Sequence, residues 1–539
     1  MAIFLKLAWY FKSEWRRYLA AIIMLGIIAA LTMVPAWIVG RFVDSIVDKT
    51  LTFSHLLQFV LTVIGTTTVV YIFRFWWRAL LYGAAYQLAA ILRQRLYAKF
   101  MAMDPWFFQR YGTGDLMARA TNDVAAVEMT AGEGVLSLVD GLMTGAIVLG
   151  VLLWFNWKLA LIGLIPWPIM SYFMWRFGEE LHVAFGEAQR HFSALNDQVH
   201  YGLTGVRVVR ALGLEAHEES KFVAVAKATN VANAAVASVD AKYDPTIYLT
   251  IGFSFLFCVG GGAWFVRHGS MTIGEMTTFT MYMGHLIWPM FAYGWMLNIV
   301  ERGSAAYKRL EEIFAATPAQ AAGHSRTLDS RLPLHVDIPE FVFPGEEKPV
   351  LRNVTFELPA SHTIGVVGRT GSGKSTLVYL LAGLYPLQAG SICWGNADIA
   401  TLDPEILRRA LAVVPQEPFL FSATIAENIA LGDPQATRAE IESAAKIACV
   451  HDDIVRFENG YDTLVGERGV TLSGGQKQRI SIARALLLDP DFLLLDDSLS
   501  AVDAHTEQKI LAAFKALRAG RTTLIVSHRM SAVEHAETI

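Results

Sequence analysis

The sequence is short of charge and of cysteine. Only 17% of its 539 residues are Asp, Glu, Lys or Arg, against 54% hydrophobic ones, and mean hydropathy is +0.38. About a quarter of a soluble domain's residues are charged, so this deficit argues against an entirely water-soluble chain and for a membrane protein. The net charge of −4 supplies no basic footprint for nucleic acid. The three cysteines, Cys258, Cys393 and Cys449, stand far apart. That spacing gives no disulfide framework and no metal pattern, and buried or inert thiols are expected. The length calls for two or three folded units. Residues 1–18 carry Lys6, Lys12, Arg16 and Arg17 around Trp9 and Trp15, with no small-residue cleavage site after them. They read as an amphipathic helix at the cytoplasmic face, not a cleaved signal.

Long apolar runs are what the first part of the chain has in place of charge. Six of them, at about 19–40, 56–81, 134–155, 157–177, 247–266 and 276–300, are long enough as helices to cross a hydrocarbon core of about 30 Å. Lys and Arg collect in the N-terminal segment, in the connections 82–132 (Arg93, Arg95, Lys99, Arg110, Arg119) and 176–242 (Arg190, Arg207, Arg210, Lys221, Lys227), and after the sixth run (Arg302, Lys308, Arg309). This bias puts both ends of the membrane part in the cytoplasm. The two long connections show helical spacing with few breakers. Structureless loops of that length are rare, and two antiparallel arms of about 24 residues would reach roughly 35 Å below the membrane. The first arm breaks at Asp104-Pro105, before Trp106-Phe107-Phe108, and the second turns near Leu212-Gly213-Leu214-Glu215. Each tip is expected to present a short apolar element for docking onto another domain.

Residues 315–333 are rich in Ala, Thr, Ser, Gly and Pro and read as a linker. From Leu334 strand-like runs at 363–367, 411–414, 492–495 and 523–526 alternate with helical stretches, the pattern of a soluble α/β domain. The first of these runs ends in Gly368-Arg369-Thr370-Gly371-Ser372-Gly373-Lys374-Ser375, which fits G-x-x-x-x-G-K-[ST]. The backbone N–H groups of such a loop, with the helix start behind it, cradle phosphates. Lys374 is expected on the β/γ-phosphates and Ser375 on Mg²⁺. Asp496, at the end of the run 492–495, suits the Mg²⁺ shell. His528 follows a further strand. It is either structural or, since several strands would end at one crevice, a γ-phosphate contact.

Residues 334–539 resemble the nucleotide-binding domain of an ABC transporter, and the part before them resembles the membrane domain of a type I exporter-fold half-transporter. The fold class this implies is multidomain: a six-helix all-α transmembrane domain with long cytoplasmic helical extensions (1–314), the linker, and an α/β P-loop ABC nucleotide-binding domain (334–539). By the resemblance, Leu472-Ser473-Gly474-Gly475-Gln476 is the signature loop that grips the ATP of a partner chain, with Ser473, Gly474, Gly475 and Gln476 as nucleotide contacts. Thr376 belongs with Gly368–Ser375 to the nucleotide loop, Phe343 stands where an aromatic ring stacks on adenine, and Gln416 links Mg²⁺ to the coupling interface. His528 is the switch histidine, Glu467 meets the coupling helices, and Ser500-Ala501-Val502-Asp503 crosses the dimer interface. ATP and Mg²⁺ are the implied cofactors.

The chain departs from the family at Asp497, where Glu usually polarises the attacking water. Asp has the charge with a shorter reach, and misplacing a catalytic group by about 1 Å costs on the order of 10²-fold. Either this chain's hydrolytic site is weak or the backbone shifts and Asp497 still serves as base. The signature is intact. An unequal pair of sites follows, resembling the multidrug-resistance-like half of bacterial heterodimeric exporters, with a second subunit that carries Glu and a degraded signature. The sixth run contains Met281, Tyr282, Met283, His285, Trp288, Met290, Phe291, Tyr293, Trp295 and Met296, and its aromatic and Met side chains suit bulky amphipathic substrates, or else face lipid and neighbouring helices. Pro289 is expected to kink that helix. Asp140 and Asp244 should face the interior or water. Arg74 and Arg78 are their partners or snorkel to an interface.

Catalysis is expected from Asp497, His528 and Gln416, and the metal from Ser375, Gln416 and Asp496. The function expected is an exporter of drugs or lipids in the bacterial inner membrane, coupled to ATP and held in the lipid bilayer. A siderophore importer on the same fold and an ATP-gated channel or sensor remain as alternatives, and nucleic acid is not a partner. Cassettes of this family continue a few dozen residues past the switch histidine, so a trimmed C-terminus is also expected.

Overall fold

The structure, a computed structural model, describes residues 2–317, 325, 327–344, 346–388, 390–466, 472–518 and 520–539. It divides into two compact units, Met1–Tyr97 with Met117–Phe314, and Ala98–Leu116 with Ala315–Ile539. Most of the linker 315–333 shows no regular structure where it is described, and Glu467 lies outside the described residues.

The first unit is helical. Four stretches among the described residues are long and apolar enough to cross a membrane: Trp15–Val47, Phe53–Ala102, Thr113–Leu164 and Glu215–Arg267. The runs at 157–177 and 276–300 are each divided, at Ile165 and at Leu286. The cause is the same in both. Proline has no N–H for the carbonyl four residues back, and Pro166 and Pro289 stand just beyond the two breaks. Pro35 accounts likewise for the break at Thr32 between Trp15–Leu31 and Met33–Val47. Runs three and four part at Asn156, which is extended (φ −160°, ψ 95°) and accepts a hydrogen bond from the Leu159 N–H at 3.1 Å.

Besides a buried apolar core around Leu152, Leu159 and Phe279, this unit exposes many large apolar side chains. In Phe53–Ala102 the first half exposes Leu61, Ile64, Phe75 and Trp76, and buried residues begin at Trp77. Apolar side chains on the outside suit lipid contact. Arg78 lies over the Trp77 ring, 5.5 Å from its centroid. The second connection folds as two antiparallel helices, Pro166–Thr204 and Glu215–Asp240, joined through Val206–Leu212 and Gly213 at φ +62°, the turn expected there.

Close helix approach depends on glycine. A Cβ on Gly274, in Ile273–His285, would lie 2.0 Å from Gly40 O in Met33–Val47. The same crossing is tied by Asp44, whose carboxylate accepts from Thr272 Oγ1 (2.8 Å) and Gly274 N (2.7 Å) beside the capping box Thr272/Glu275. Gly274→Ala must therefore push two backbones apart. It is expected to cost about 2 kcal/mol, read as a lowered melting temperature in detergent. An unchanged melting temperature would show that the crossing yields without cost.

The second unit carries two sheets. The antiparallel one, in order β2-β1-β4-β5, contains β1 Leu334–Phe341, β2 Leu351–Leu358, β4 Ile392–Trp394 and β5 Ala397–Asp398. The parallel one, in order β3-β8-β7-β6, contains β3 Thr363–Val367, β6 Leu411–Val414, β7 Phe492–Asp496 and β8 Thr522–Ser527. β7 and β8 are buried along their whole length, as central parallel strands must be when both faces are covered.

Candidate nucleotide site

Parallel strands release their C-terminal ends along one edge, where such sheets form ligand crevices. The strand order brings four loops to that edge in sequence: Gly368–Lys374 after β3, His528 after β8, Asp496 and Asp497 at β7, and Gln416 after β6. The pairings Val367↔Ser527, Asp496↔Val526 and Val414↔Leu495 keep these ends level.

The glycine-rich loop turns through positive φ at Gly371 (+80°) and Gly373 (+85°), which L side chains rarely adopt. At Gly373 a Cβ would also lie 2.7 Å from Leu351 Cδ2. Helix Lys374–Leu381 starts there with no side-chain cap, so its first N–H groups are left for an anion. Arg369, Thr370, Gly371 and Ser372 form the exposed rim, Ser375 is half-buried, and Thr376 is buried. Lys374 is buried, and its Nζ donates to Gly368 O (2.8 Å) and Arg369 O (2.9 Å). The His528 Nδ1 lies 3.3 Å from that Nζ and 3.0 Å from Gly368 O, so its tautomer decides which contact is a bond.

Asp496 is 1% exposed, and its Oδ2 has no hydrogen-bond partner. Burial pushes its carboxyl above the ordinary range. A bond from Ser375 opposes the shift, and neighbouring Asp497 adds to it. A buried, orphaned carboxylate oxygen beside a P-loop serine fits a hard divalent cation, so Asp496 and Ser375 suit Mg²⁺. Bound there, Mg²⁺ would neutralise phosphate charge. Gln416 is exposed at the neighbouring strand end.

Asp497 sits at φ +44°, with its N–H donating to Val526 O (2.8 Å) and its O accepting from Ser500 N (3.1 Å). Ser527 Oγ donates to its carboxylate at 3.3 Å, drawing the side chain towards β8.

Phe343 does not stand apart on the surface. Its ring meets Trp106 edge-on at 4.9 Å and Phe341 at 5.4 Å, while Trp106 stacks on Tyr385 at 4.8 Å. Trp106 lies on the short helix Pro105–Arg110, capped by Asp104 Oδ1 accepting from Phe107 N. The expected docking tip thus meets the expected adenine platform, and Tyr385 was given no role by sequence reasoning.

The signature opens helix Gly474–Leu487 as a capping box. Ser473 Oγ accepts from Gln476 N (3.2 Å), and Gln476 Oε1 accepts from Ser473 N (3.0 Å). It packs against the loop 500–503. A Cβ on Gly475 would lie 2.8 Å from Ala501 O. Among the described residues no hydrogen bond joins Ser473–Gln476 to the glycine-rich loop, so one chain does not bring these two halves together.

Residues 18–290 match the family described as the ABC transporter transmembrane region, and 351–500 match the ABC transporter family. The chain belongs to the ABC transporter family. It is 48% identical over 540 residues to the multidrug resistance-like ATP-binding protein MdlA of Escherichia coli (strain K12), covering all of this chain and 92% of that protein. It is 39% identical to the probable multidrug resistance ABC transporter ATP-binding/permease protein YheI of Bacillus subtilis (strain 168), covering 99% of this chain and 92% of that one. Among solved structures, a bacterial Atm1-family ABC exporter with ATP bound superimposes with a TM-score of 0.78 at 26% identity, over 97% of this chain and 92% of that one. The chain is a multi-pass membrane protein in which a helical transmembrane domain precedes an ABC nucleotide-binding domain, a family architecture for ATP-coupled transport.

Within this ABC cassette two further side chains order the loop 500–503. Buried Gln478 donates to Ser500 Oγ (3.1 Å) and accepts from Ala501 N (2.9 Å). Arg529, next to His528, donates to Ser500 O (2.9 Å) and to buried Glu507 (3.0 Å). The loop is thus held from helix Gly474–Leu487 on one side and from the segment after β8 on the other. Neither residue stood out in the sequence, where only Gln478's place two residues after the signature hints at it. Gln478→Leu leaves the Ala501 N–H without its acceptor, at about 1–3 kcal/mol. ATPase activity of the assembled transporter is expected to fall roughly 10-fold with ATP affinity unchanged. Equal loss of ATP affinity would mean the cassette itself had been disturbed.

Proposed function

We propose that the chain is one half of an ATP-driven exporter of amphipathic compounds, drugs or lipids, in the bacterial inner membrane. In this reading its cassette faces the cytoplasm, and it pairs with a different ABC half-subunit. The observation that carries the reading is the combination of an intact signature cap at Ser473–Gln476 with a short, inward-held carboxylate at Asp497. Phe343 stacks on adenine, and Gly368–Thr376 with Lys374 hold the phosphates. Asp496, Ser375 and Gln416 hold Mg²⁺, and His528 contacts the γ-phosphate. Asp497 takes the proton of the attacking water poorly. The signature of each chain completes the other's site, so this chain contributes the sound signature to the site where the partner's Glu is the base.

Trp106, on its contact with Phe343 and Tyr385, passes nucleotide occupancy to the first arm, and the exposed Leu212 and Leu214 serve the second. The kinship to proteins named as multidrug resistance ABC proteins supports the substrate class. The test is ATPase turnover of the chain alone and of the pair co-purified after the two genes are expressed together. A large increase with the partner is expected, and robust turnover by the pure homodimer would reject the unequal pair.

A further inference from the structure

Helix Thr113–Leu164 contains two wide turns, Arg119–Asp123 and Thr130–Gly134, where the chain is wound as a π-helix. Each holds an extra residue, and such turns inside α-helices are frequent at functional sites. Three neighbouring helices bond to these turns. Arg93 Nε, from Phe53–Ala102, donates to Ala120 O at 3.4 Å, and Tyr18 Oη, from Trp15–Leu31, donates to Ala131 O at 3.2 Å. Helix Ile287–Ala315 is held at both. At the second turn Thr130 Oγ1 lies 3.2 Å from Ile299 O, and a Cβ on Gly303 would lie 1.9 Å from the same Oγ1.

At the first turn the contact is ionic. Arg309 donates through Nε to Asp123 Oδ2 at 2.8 Å and through Nη2 to Asp123 Oδ1. Arg119 Nη1 donates to Arg309 O at 2.5 Å and to Glu312 at 3.3 Å. The Asp123 and Arg119 side chains are buried, while those of Arg309 and Glu312 are half-exposed. A two-pronged guanidinium–carboxylate pair is among the stronger polar contacts, and removing its cation strands a buried charge.

The place of this cluster in the chain gives it a further meaning. The chain passes between the two compact units at Tyr97–Ala98, Leu116–Met117 and Phe314–Ala315. Arg93 stands just before the first passage, Arg119 just after the second and Glu312 just before the third. The first wide turn therefore ties together the roots of all three connections. If it relaxed to an α-turn, the residues before it would rotate by about 100° and advance by about 1.5 Å relative to those after it. Arg119 and Asp123 would then no longer both face Arg309, so the wide turn and the ion cluster stand or fall together.

From this arrangement we infer that the first wide turn and the Arg119–Asp123–Arg309–Glu312 cluster form a clasp. Closed, it makes the three connections to the nucleotide-binding unit move as one; it opens by relaxation of that turn during the nucleotide cycle. The inference rests on ATP-coupled transport alone, not on the direction of export or on an unequal pair of sites.

Hydrogen–deuterium exchange of the full chain in lipid nanodiscs tests it, because an opening turn exposes its N–H groups. MgATP is expected to speed exchange in residues 117–134 and 299–314 together, by at least about threefold in each. Without nucleotide, Arg309→Gln is expected to speed exchange about 10-fold in both segments, since it strands the Asp123 carboxylate. Adding Asp123→Asn to that variant removes the stranded charge and is expected to bring both segments back to within about threefold of the parent. Unchanged exchange in β7 and β8 serves as the folding check. In Arg309→Gln the response of both segments to MgATP is expected to vanish, while MgATP still slows exchange in the glycine-rich loop. A role in packing alone would leave that response as it is in the parent, and this result overturns the inference. So does a parent chain in which MgATP slows exchange in the glycine-rich loop and leaves both segments unchanged. An Arg309→Gln variant that loosens 299–314 and not 117–134 overturns it as well.

Discussion

Asp497→Glu, purified without a partner, is expected to hydrolyse ATP on the order of 10²-fold faster than the parent chain. The backbone at this position is pinned on both sides, by Asp497 N to Val526 O and Ser500 N to Asp497 O, so it has little freedom to move a short side chain forward. Ser527 draws the carboxylate back towards β8. One added methylene restores about 1 Å of reach, and in the proposed pairing the signature of each copy completes the other's site. The gain is opposed slightly by the left-handed backbone at φ +44°, a region in which Asp is better tolerated than longer side chains. Steady-state phosphate release checks it. A variant no faster than its parent would mean that Asp497 already serves as base, or that the defect lies elsewhere.

Lys374→Ala is expected to weaken ATP binding by roughly 10²-fold, the size of a lost charge-assisted contact to phosphate. The loss has two parts. The ammonium itself goes, and so do its bonds to Gly368 O and Arg369 O, which hold the loop in its cradle shape. Equilibrium binding of a fluorescent ATP analogue measures it, with the melting temperature as a check on folding. Affinity within threefold of the parent would place the nucleotide elsewhere.

Much of the fold was legible because its signals are local. Proline removes a donor wherever it stands, so Pro289 marked its break. Gly213 marked a turn, which the structure makes at positive φ, and Asp104-Pro105 marked the break in the first arm. The motif residues were legible for the same reason, since Gly368–Ser375 and Leu472–Gln476 are short and contiguous. The apolar runs at 157–177 and 276–300 were legible as composition, and of their two breaks only the one near Pro289 was expected.

Taken alone, the sequence determined the family and the order of membrane and ATP-binding parts, and it set out the expected phosphate loop and the Asp at 497. These depend on residue type and near-neighbour spacing. Only the tertiary structure decided which distant side chains meet. Trp106 lies on Tyr385, Gln478 and Arg529 hold Ser500, Gly40 and Gly274 touch through their backbones, and Arg309 holds Asp123. Such contacts join residues up to hundreds of positions apart, and packing and hydrogen-bond geometry select them. No local pattern in the chain records that choice.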